Sequence, residues 1–288
     1  MGSSFVSFRA FLFVTPVLAG ALLGCSSSSD APAGGGSGAT GLAIVPVSAP
    51  GLTAAGGDAL ALKVVNRKSD GTTEDVPAAQ VTWSGPPTVT ATDPSGMAAA
   101  SAYPATGGAG PVAVWIANAP RADHASDLAG VLFILDAGAS GGSVSVTATV
   151  SGGGGGTATA SVTVSATPAG DATRGAALYG ASGAACAACH GATGHGSPDS
   201  ADNGTTFSID GTPYAFPAPG LNAEDGNAAA EWSPELFAIA ARADLDDEAV
   251  SLRQPMPDWL TAESPGSGKA LTTQDLADIF AFLATQKQ

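Results

Sequence analysis

Cys186-Ala187-Ala188-Cys189-His190 is the stretch from which the rest of this chain can be read. Two thiols stand two residues apart, and an imidazole follows the second at once. C-x-x-C alone is ambiguous, because redox dithiols and zinc half-sites share it. The adjacent histidine narrows the choice. C-x-x-C-H is the pattern at which two thiols join the vinyl groups of a c-type haem and the next imidazole is set under the iron. Zinc would need a second pair of ligands, and the remaining cysteine, Cys25, lies near the other end of the chain. Haem c, with its iron, is therefore expected on Cys186, Cys189 and His190.

Cys25 has its own context. Arg9 supplies a positive start, and residues 10–23 form an apolar run too short for a comfortable membrane span. The run ends in Leu22-Leu23-Gly24-Cys25, which resembles the lipobox of bacterial lipoproteins. The resemblance implies cleavage before Cys25, a diacylglycerol thioether on its sulfur and an acylated new terminus. The competing reading is an ordinary secretory peptide with a stray cysteine. Two or three acyl chains anchor stably where one does not. Ser26 in place of Asp resembles the outer-membrane sorting pattern of Gram-negative lipoproteins. The expected location is thus the bacterial cell envelope, on the outer membrane, facing the periplasm or the cell surface. All three cysteines are then assigned, none is left for a structural disulfide, and export suits haem attachment outside the inner membrane.

A chain of 288 residues, less a leader, suits two domains. Gly, Ala, Ser and Thr dominate, and charged residues are only 12%, so modest cores of small and β-branched side chains are expected. The formal net charge of −15 argues against nucleic acid and against anionic lipid surfaces. It suits a basic protein partner. The chain divides into a signal peptide (1–24), a lipid-anchored tether (25–40), an all-β segment (41–167) and an all-α segment (168–288). The Ser- and Gly-rich tether has a reach of about 20 Å.

In the all-β segment, apolar or alternating runs recur at 42–47, 60–65, 81–83, 112–116, 131–135, 144–150 and 157–164. Turn clusters such as Ser69-Asp70-Gly71 and Asp93-Pro94-Ser95-Gly96 separate them. Short strands with regular turns and no helical stripe predict a β-sandwich. The run from Leu62-Lys63-Val64-Val65 to Val81-Thr82-Trp83-Ser84 resembles bacterial Ig-like repeats of surface proteins, with Trp83 between the sheets. Met97, Asp123, His124 and Asp127 have no ligand spacing and read as loop residues. The glycines at 152–156 precede no helix and read as a hairpin tip.

Asp171 caps a predicted helix that runs through Gly175 to Leu178-Tyr179. A second helix is expected at 233–243, with Ser233 as cap, Pro234 at the first turn and Leu236, Ile239 and Ala240 on one face. The last begins at Thr272 with Asp275 as its capping partner and Leu271 stapled to Leu276; Leu276, Ile279, Phe280 and Leu283 form its stripe. Between these helices, 197–231 reads as loop, with Tyr214, Phe216, Pro217 and Pro219 as candidate walls for the haem. Gly175 through Tyr179, the C-x-x-C-H and the closing helix together resemble a class I (monohaem) cytochrome c. In that family the glycine lets the first helix cross the last closely.

For the sixth ligand the candidate is Met256, the one thioether after the haem motif, held between Pro255 and Pro257 in a stiff, extended backbone. The Met-Pro pair and Trp259 also resemble the distal loop of small bacterial cytochromes c. His195 is a rival, but it follows His190 by five residues and would have to pass round the porphyrin. Lys269 and an open sixth position complete the set. The whole reads as a membrane-anchored one-electron carrier with His/Met ligation by His190 and Met256, and not as an enzyme. Two competing functions stand beside it. One is a haem-based sensor or peroxidase, and the other is a surface adhesion or scaffold protein with an accessory haem.

Overall fold

The strands come in two kinds, and the difference sets the architecture. The computed structural model describes residues 41–47, 49–90, 103–117, 130–152, 155–180, 183–184, 186–196, 206–209, 212–215, 218–243, 245–247 and 270–287. Cys25, Met97, Asp123, His124, Asp127, Phe216, Pro217, Met256 and Lys269 lie outside these residues. In β9 (Gly142–Val150) and β10 (Gly156–Ser165), buried and exposed positions largely alternate, as in a sheet with one wet face. In β7 (Val112–Ala117) and β8 (Gly130–Asp136), Ala113 to Trp115 and Leu132 to Leu135 are buried in succession. Those two strands are covered on both faces.

Two sheets follow. β1 (Gly41–Pro46), β3 (Ala59–Arg67), β8, β7 and β6 (Thr88–Thr90) lie in that order, with β4 (Thr73–Asp75) added beside β3. β2 (Thr53–Ala55), β10, β9 and β5 (Val81–Ser84) make the second sheet. Pairing is antiparallel except for β6 with β7 and β2 with β10. A common core joins the sheets: Leu62, Val64, Leu132 and Ile134 of the first meet Val146, Ala148, Val162 and Val164 of the second. Trp83 packs at its margin, with its ring centroid 4.9 Å from that of Trp115. Every run read as a strand is a strand here. β2, β4 and β6 were too short to show a period.

Among the described residues the α-helices are α1 (Ala172–Tyr179), α2 (Ala187–His190), α3 (Ala228–Glu231), α4 (Pro234–Ala243) and α5 (Thr273–Thr285). Asp171 caps α1 by accepting from the amides of Thr173 (2.8 Å) and Arg174 (3.2 Å). Thr272 and Asp275 form the expected reciprocal cap of α5. Burial opposes charge on Asp275, yet its hydrogen bonds from Thr272 and the neighbouring Arg174 guanidinium outweigh that and hold its carboxyl below the usual range. The stretch read as loop contains a hairpin, β11 (Thr206–Ile209) with β12 (Thr212–Ala215). Thr206-Phe207-Ser208-Ile209 does alternate, but over four residues in a polar stretch, too few to predict a strand.

α1 and α5 cross with no room to spare. A Cβ on Gly175 would stand 1.8 Å from the carbonyl oxygen of Asp278. Beside the crossing, Arg174 pairs with Asp275 and with the buried carboxylate of Asp278, which also accepts from the Asp171 amide and the Gln274 side chain, each at 2.8 Å. Among the described residues no helix is long and apolar enough to cross a membrane.

α4 departs from the single apolar face expected of it. Phe237 to Ala243 are all buried. Phe237, Ala238 and Ala241 join the helical core with Tyr179, Leu276, Ile279 and Leu283. On the other side, Ile239, Ala243 and the following Leu245 pack on Val89, Val114, Phe133 and Leu135, the outer face of the first sheet. This explains the uninterrupted apolar runs of β7 and β8. Each fully buried side chain of this size contributes about 1.5–3 kcal/mol, so parting strands from helices would cost several such terms. The seam belongs to one contiguous unit, Gly38–Gln288.

Candidate haem-attachment site

The C-x-x-C-H turn is folded before any ligand is considered. The Cys186 carbonyl accepts from the amides of Cys189 (3.2 Å) and His190 (2.9 Å), which winds the motif into α2. α1 delivers Tyr179, buried to 1% exposure, whose hydroxyl donates to the Gly191 carbonyl at 2.9 Å and pins the residue after His190. The Tyr179 ring stacks obliquely on Phe282 of α5, centroids 5.4 Å apart. The helix crossing at Gly175 thus fixes the turn that carries the histidine.

His190 is itself buried at 7% exposure, and its Nδ1 lies 2.9 Å from the Pro219 carbonyl oxygen. A carbonyl only accepts, so the ring proton is on Nδ1 and Nε2 keeps its lone pair for a metal. Burial lowers the pKa of this imidazole, partly opposed by the Pro219 bond, so the ring is held neutral. The carbonyl reaches it through a close passage of two backbones. Gly196 has φ +78°, its amide donates to the His190 carbonyl at 3.0 Å, and a Cβ there would stand 2.5 Å from the Ala218 carbonyl. Only glycine suits that position.

Cys186 and Cys189 form no disulfide, both are half-buried, and Cys186 packs against the helical core. Burial pushes the Cys186 thiol up to about 12. A redox dithiol requires the opposite, a thiolate stabilised near neutral pH. A zinc site finds no support either: among the described residues no three His, Cys, Asp or Glu side chains are grouped as a metal would need. Two cysteines outside any disulfide, a neutral imidazole whose Nδ1 is committed and an apolar wall fit covalent haem c.

The remaining polar groups form a network on the loop after His190. His195 Nδ1 lies 3.1 Å from Glu224 Oε2 and 2.6 Å from Asn222 Nδ2. Asn222 is fully buried, and its Oδ1 accepts from Asn227 Nδ2 at 2.5 Å and from the Glu224 amide at 3.3 Å. The rival sixth ligand is therefore engaged on the proximal loop. Met256, the favoured one, and Cys25 lie outside the described residues. Pro219 contributes its carbonyl to His190, a role its side chain does not signal, because a backbone group leaves no mark in the sequence. Asn222 and Tyr179 were not singled out for the roles they fill. The tyrosine's place one turn after Gly175 was the available signal.

No curated protein and no solved structure matches this chain. Residues 172–287 match the family model described as Cytochrome c, which makes the C-terminal part of the chain a c-type cytochrome domain with covalent haem c and its iron, consistent with haem-based electron transfer.

Proposed function

We propose that the chain is an envelope-anchored one-electron carrier in which His190 and Met256 ligate the haem iron and Cys25 carries the lipid. The observation behind this is the commitment of His190 Nδ1 to the Pro219 carbonyl, beside two cysteines that form no disulfide, which leaves Nε2 for iron. Bound haem supplies the Fe(III)/Fe(II) couple, and methionine ligation raises its potential relative to bis-histidine. The chain supplies the rest. Cys186 and Cys189 secure the porphyrin covalently, Tyr179 holds the turn, and the core around Leu276, Ile279 and Leu283 excludes water. Held by His190 and Met256, the haem would supply electron transfer rather than a binding position for substrate. The strand-bearing segment is read as a bacterial Ig-like sandwich, supported by its two sheets on one core.

The partner proposed is a basic redox protein. From Asp171 onward there are sixteen Asp and Glu against five Lys and Arg. Asp247 is exposed, and both it and Asp246 lie close enough to Tyr103 to raise the pKa of its hydroxyl, after burial, by their charge. Complementary charge speeds encounter more than it deepens affinity.

Met256→Ala in the haem-loaded protein tests the ligation. The low-spin spectrum is expected to be lost and the potential to fall; an unchanged spectrum removes Met256 as ligand. In stopped-flow measurements, reduction of the unsubstituted protein by its partner should slow as salt is raised. A rate independent of ionic strength overturns the steering. The anchor has a separate test. Cys25→Ser is expected to leave a folded, haem-bearing protein in the soluble fraction, and a variant still membrane-bound after a salt wash means another attachment exists.

A further inference from the structure

The carbonyl that holds His190 is itself held, and a buried carboxamide stands behind it. Asn222 follows Pro219 by three residues and is fully buried. A carboxamide in that position destabilises the fold unless both its ends find partners. Its Oδ1 accepts from the Glu224 amide at 3.3 Å, and because a backbone amide only donates, the oxygen is fixed at that end. The same oxygen accepts from Asn227 Nδ2 at 2.5 Å. The NH2 end is therefore the one turned to His195 Nδ1, at 2.6 Å. The backbone of this stretch is bound as well. The amides of Leu221 and Asn222 both donate to the Gly194 carbonyl, at 2.6 and 3.1 Å, and the Leu221 carbonyl accepts from the Ala229 amide at 3.1 Å.

These bonds tie the chain after Pro219 to the loop after His190. Asn227, just before α3, also closes over Gly220, where an added Cβ would stand 2.1 Å from Asn227 Oδ1. Pro219 is exposed, so burial of its own ring does not hold the carbonyl in place. We propose that Asn222 is a positioning residue for the proximal ligand: it fixes the backbone that presents the Pro219 carbonyl to His190 Nδ1, and so sets the donor strength of Nε2 and the haem potential. The inference rests on the reading of His190 as that ligand. A hydrogen bond donated from Nδ1 raises the basicity of the other ring nitrogen. A more basic ligand favours Fe(III), and hydrogen bonding around the ligands is one of the levers a protein has on potential. Without the Asn222 carboxamide the segment draws back, the bond to His190 lengthens, and Fe(II) is favoured.

The test uses the full-length, haem-loaded protein and reads its midpoint potential together with one proton. That proton is on His190 Nδ1, and its exchange with deuterated solvent is followed in the diamagnetic ferrous state. Exchange requires the bond to Pro219 to open locally. Asn222→Ala should speed it about tenfold, equivalent to about 1.4 kcal/mol of lost local stability, and raise the potential. Asn227→Ala removes one of the bonds to Asn222 Oδ1 and should act in the same direction, about threefold. Both replace a neutral side chain by a neutral one, so a change of net charge does not account for a shift in potential. The Asn227 side chain makes no capping bond to α3, so Asn227→Ala keeps the test decisive if Asn222→Ala does not fold. Val146→Ala is the control, because Val146 is fully buried in the core between the sheets. It should lower the melting temperature and leave exchange and potential unchanged. If the two asparagine variants melt earlier but keep the exchange rate and potential of the unsubstituted protein, Asn222 is a packing contact only and the proposal is wrong. His190→Ala separates the two ideas. Should its spectrum change while the asparagine variants leave exchange and potential unmoved, the positioning role alone fails; should its spectrum stay the same, the ligand assignment fails first and the positioning role falls with it.

Discussion

Alanine at both Cys186 and Cys189 will abolish the haem-staining band that the unsubstituted chain retains through denaturing electrophoresis. The retained band requires expression in a host that attaches c-type haem. The expectation is all-or-none, because denaturant removes every non-covalent hold and only the thioethers survive it. Single alanine variants will keep one bond and a stained band. His190→Ala will keep both bonds and lose the proximal nitrogen, so its stain should persist while its spectrum changes. The three phenotypes separate attachment from ligation, which the adjacent positions in one helical turn would otherwise confound. A haem-negative band from the unsubstituted protein, in a host that matures another c-type cytochrome in parallel, would refute the attachment. Retention of haem by the double alanine variant would show a linkage through some other residue.

Much of this arrangement was legible in the sequence because it depends on local pattern. The cap of α5 and its stripe are contained within a dozen residues, and the seven principal strands announce themselves by period and by turns. The C-x-x-C-H is equally local. What escaped reading depends on partners distant in the chain. The Pro219 carbonyl carries no side-chain signature, yet it settles which nitrogen of His190 keeps its lone pair. Arg242 in α4 looks like any helical cation until the sheet covers it. The sequence of β7 and β8 did hold a clue. Val112 to Ile116 and Val131 to Leu135 are continuous apolar runs, whereas β9 and β10 alternate, and only strands buried on both faces need the former. Period alone marks all four as strands without showing which have a third layer over them. α4 likewise has two apolar faces where its spacing predicts one.

Gly175→Ala will destabilise the protein, against what helix propensity alone demands. Alanine is favoured over glycine inside a helix by about 0.8–1.0 kcal/mol, so an uncrossed α1 would gain from the change. Here the added methyl would meet the Asp278 carbonyl oxygen at 1.8 Å, its carbon at 2.4 Å and the Ile279 amide nitrogen at 3.0 Å. All three are backbone atoms of α5, which cannot swing aside as a flexible side chain does. Either the helices separate, or α5 bends and loosens the Arg174 pairing with Asp275 and Asp278. Overpacking a close contact costs about 1–3 kcal/mol and more when backbone must move, so steric conflict outweighs propensity. At about 2–4 °C per kcal/mol for a unit of this size, a net loss of about 3 kcal/mol lowers the melting temperature by about 6–12 °C. Separation would also draw Tyr179 away from the Gly191 carbonyl, so the haem spectrum should change before global unfolding. Gly180→Ala is the matched control: its nearest neighbour to an added Cβ is the Ala176 carbonyl at 3.5 Å, an ordinary contact, and its φ of −68° suits alanine. Thermal melts of the two haem-loaded variants decide the matter. Equal melting temperatures for Gly175→Ala and the unsubstituted protein would mean that α1 and α5 do not cross at this residue.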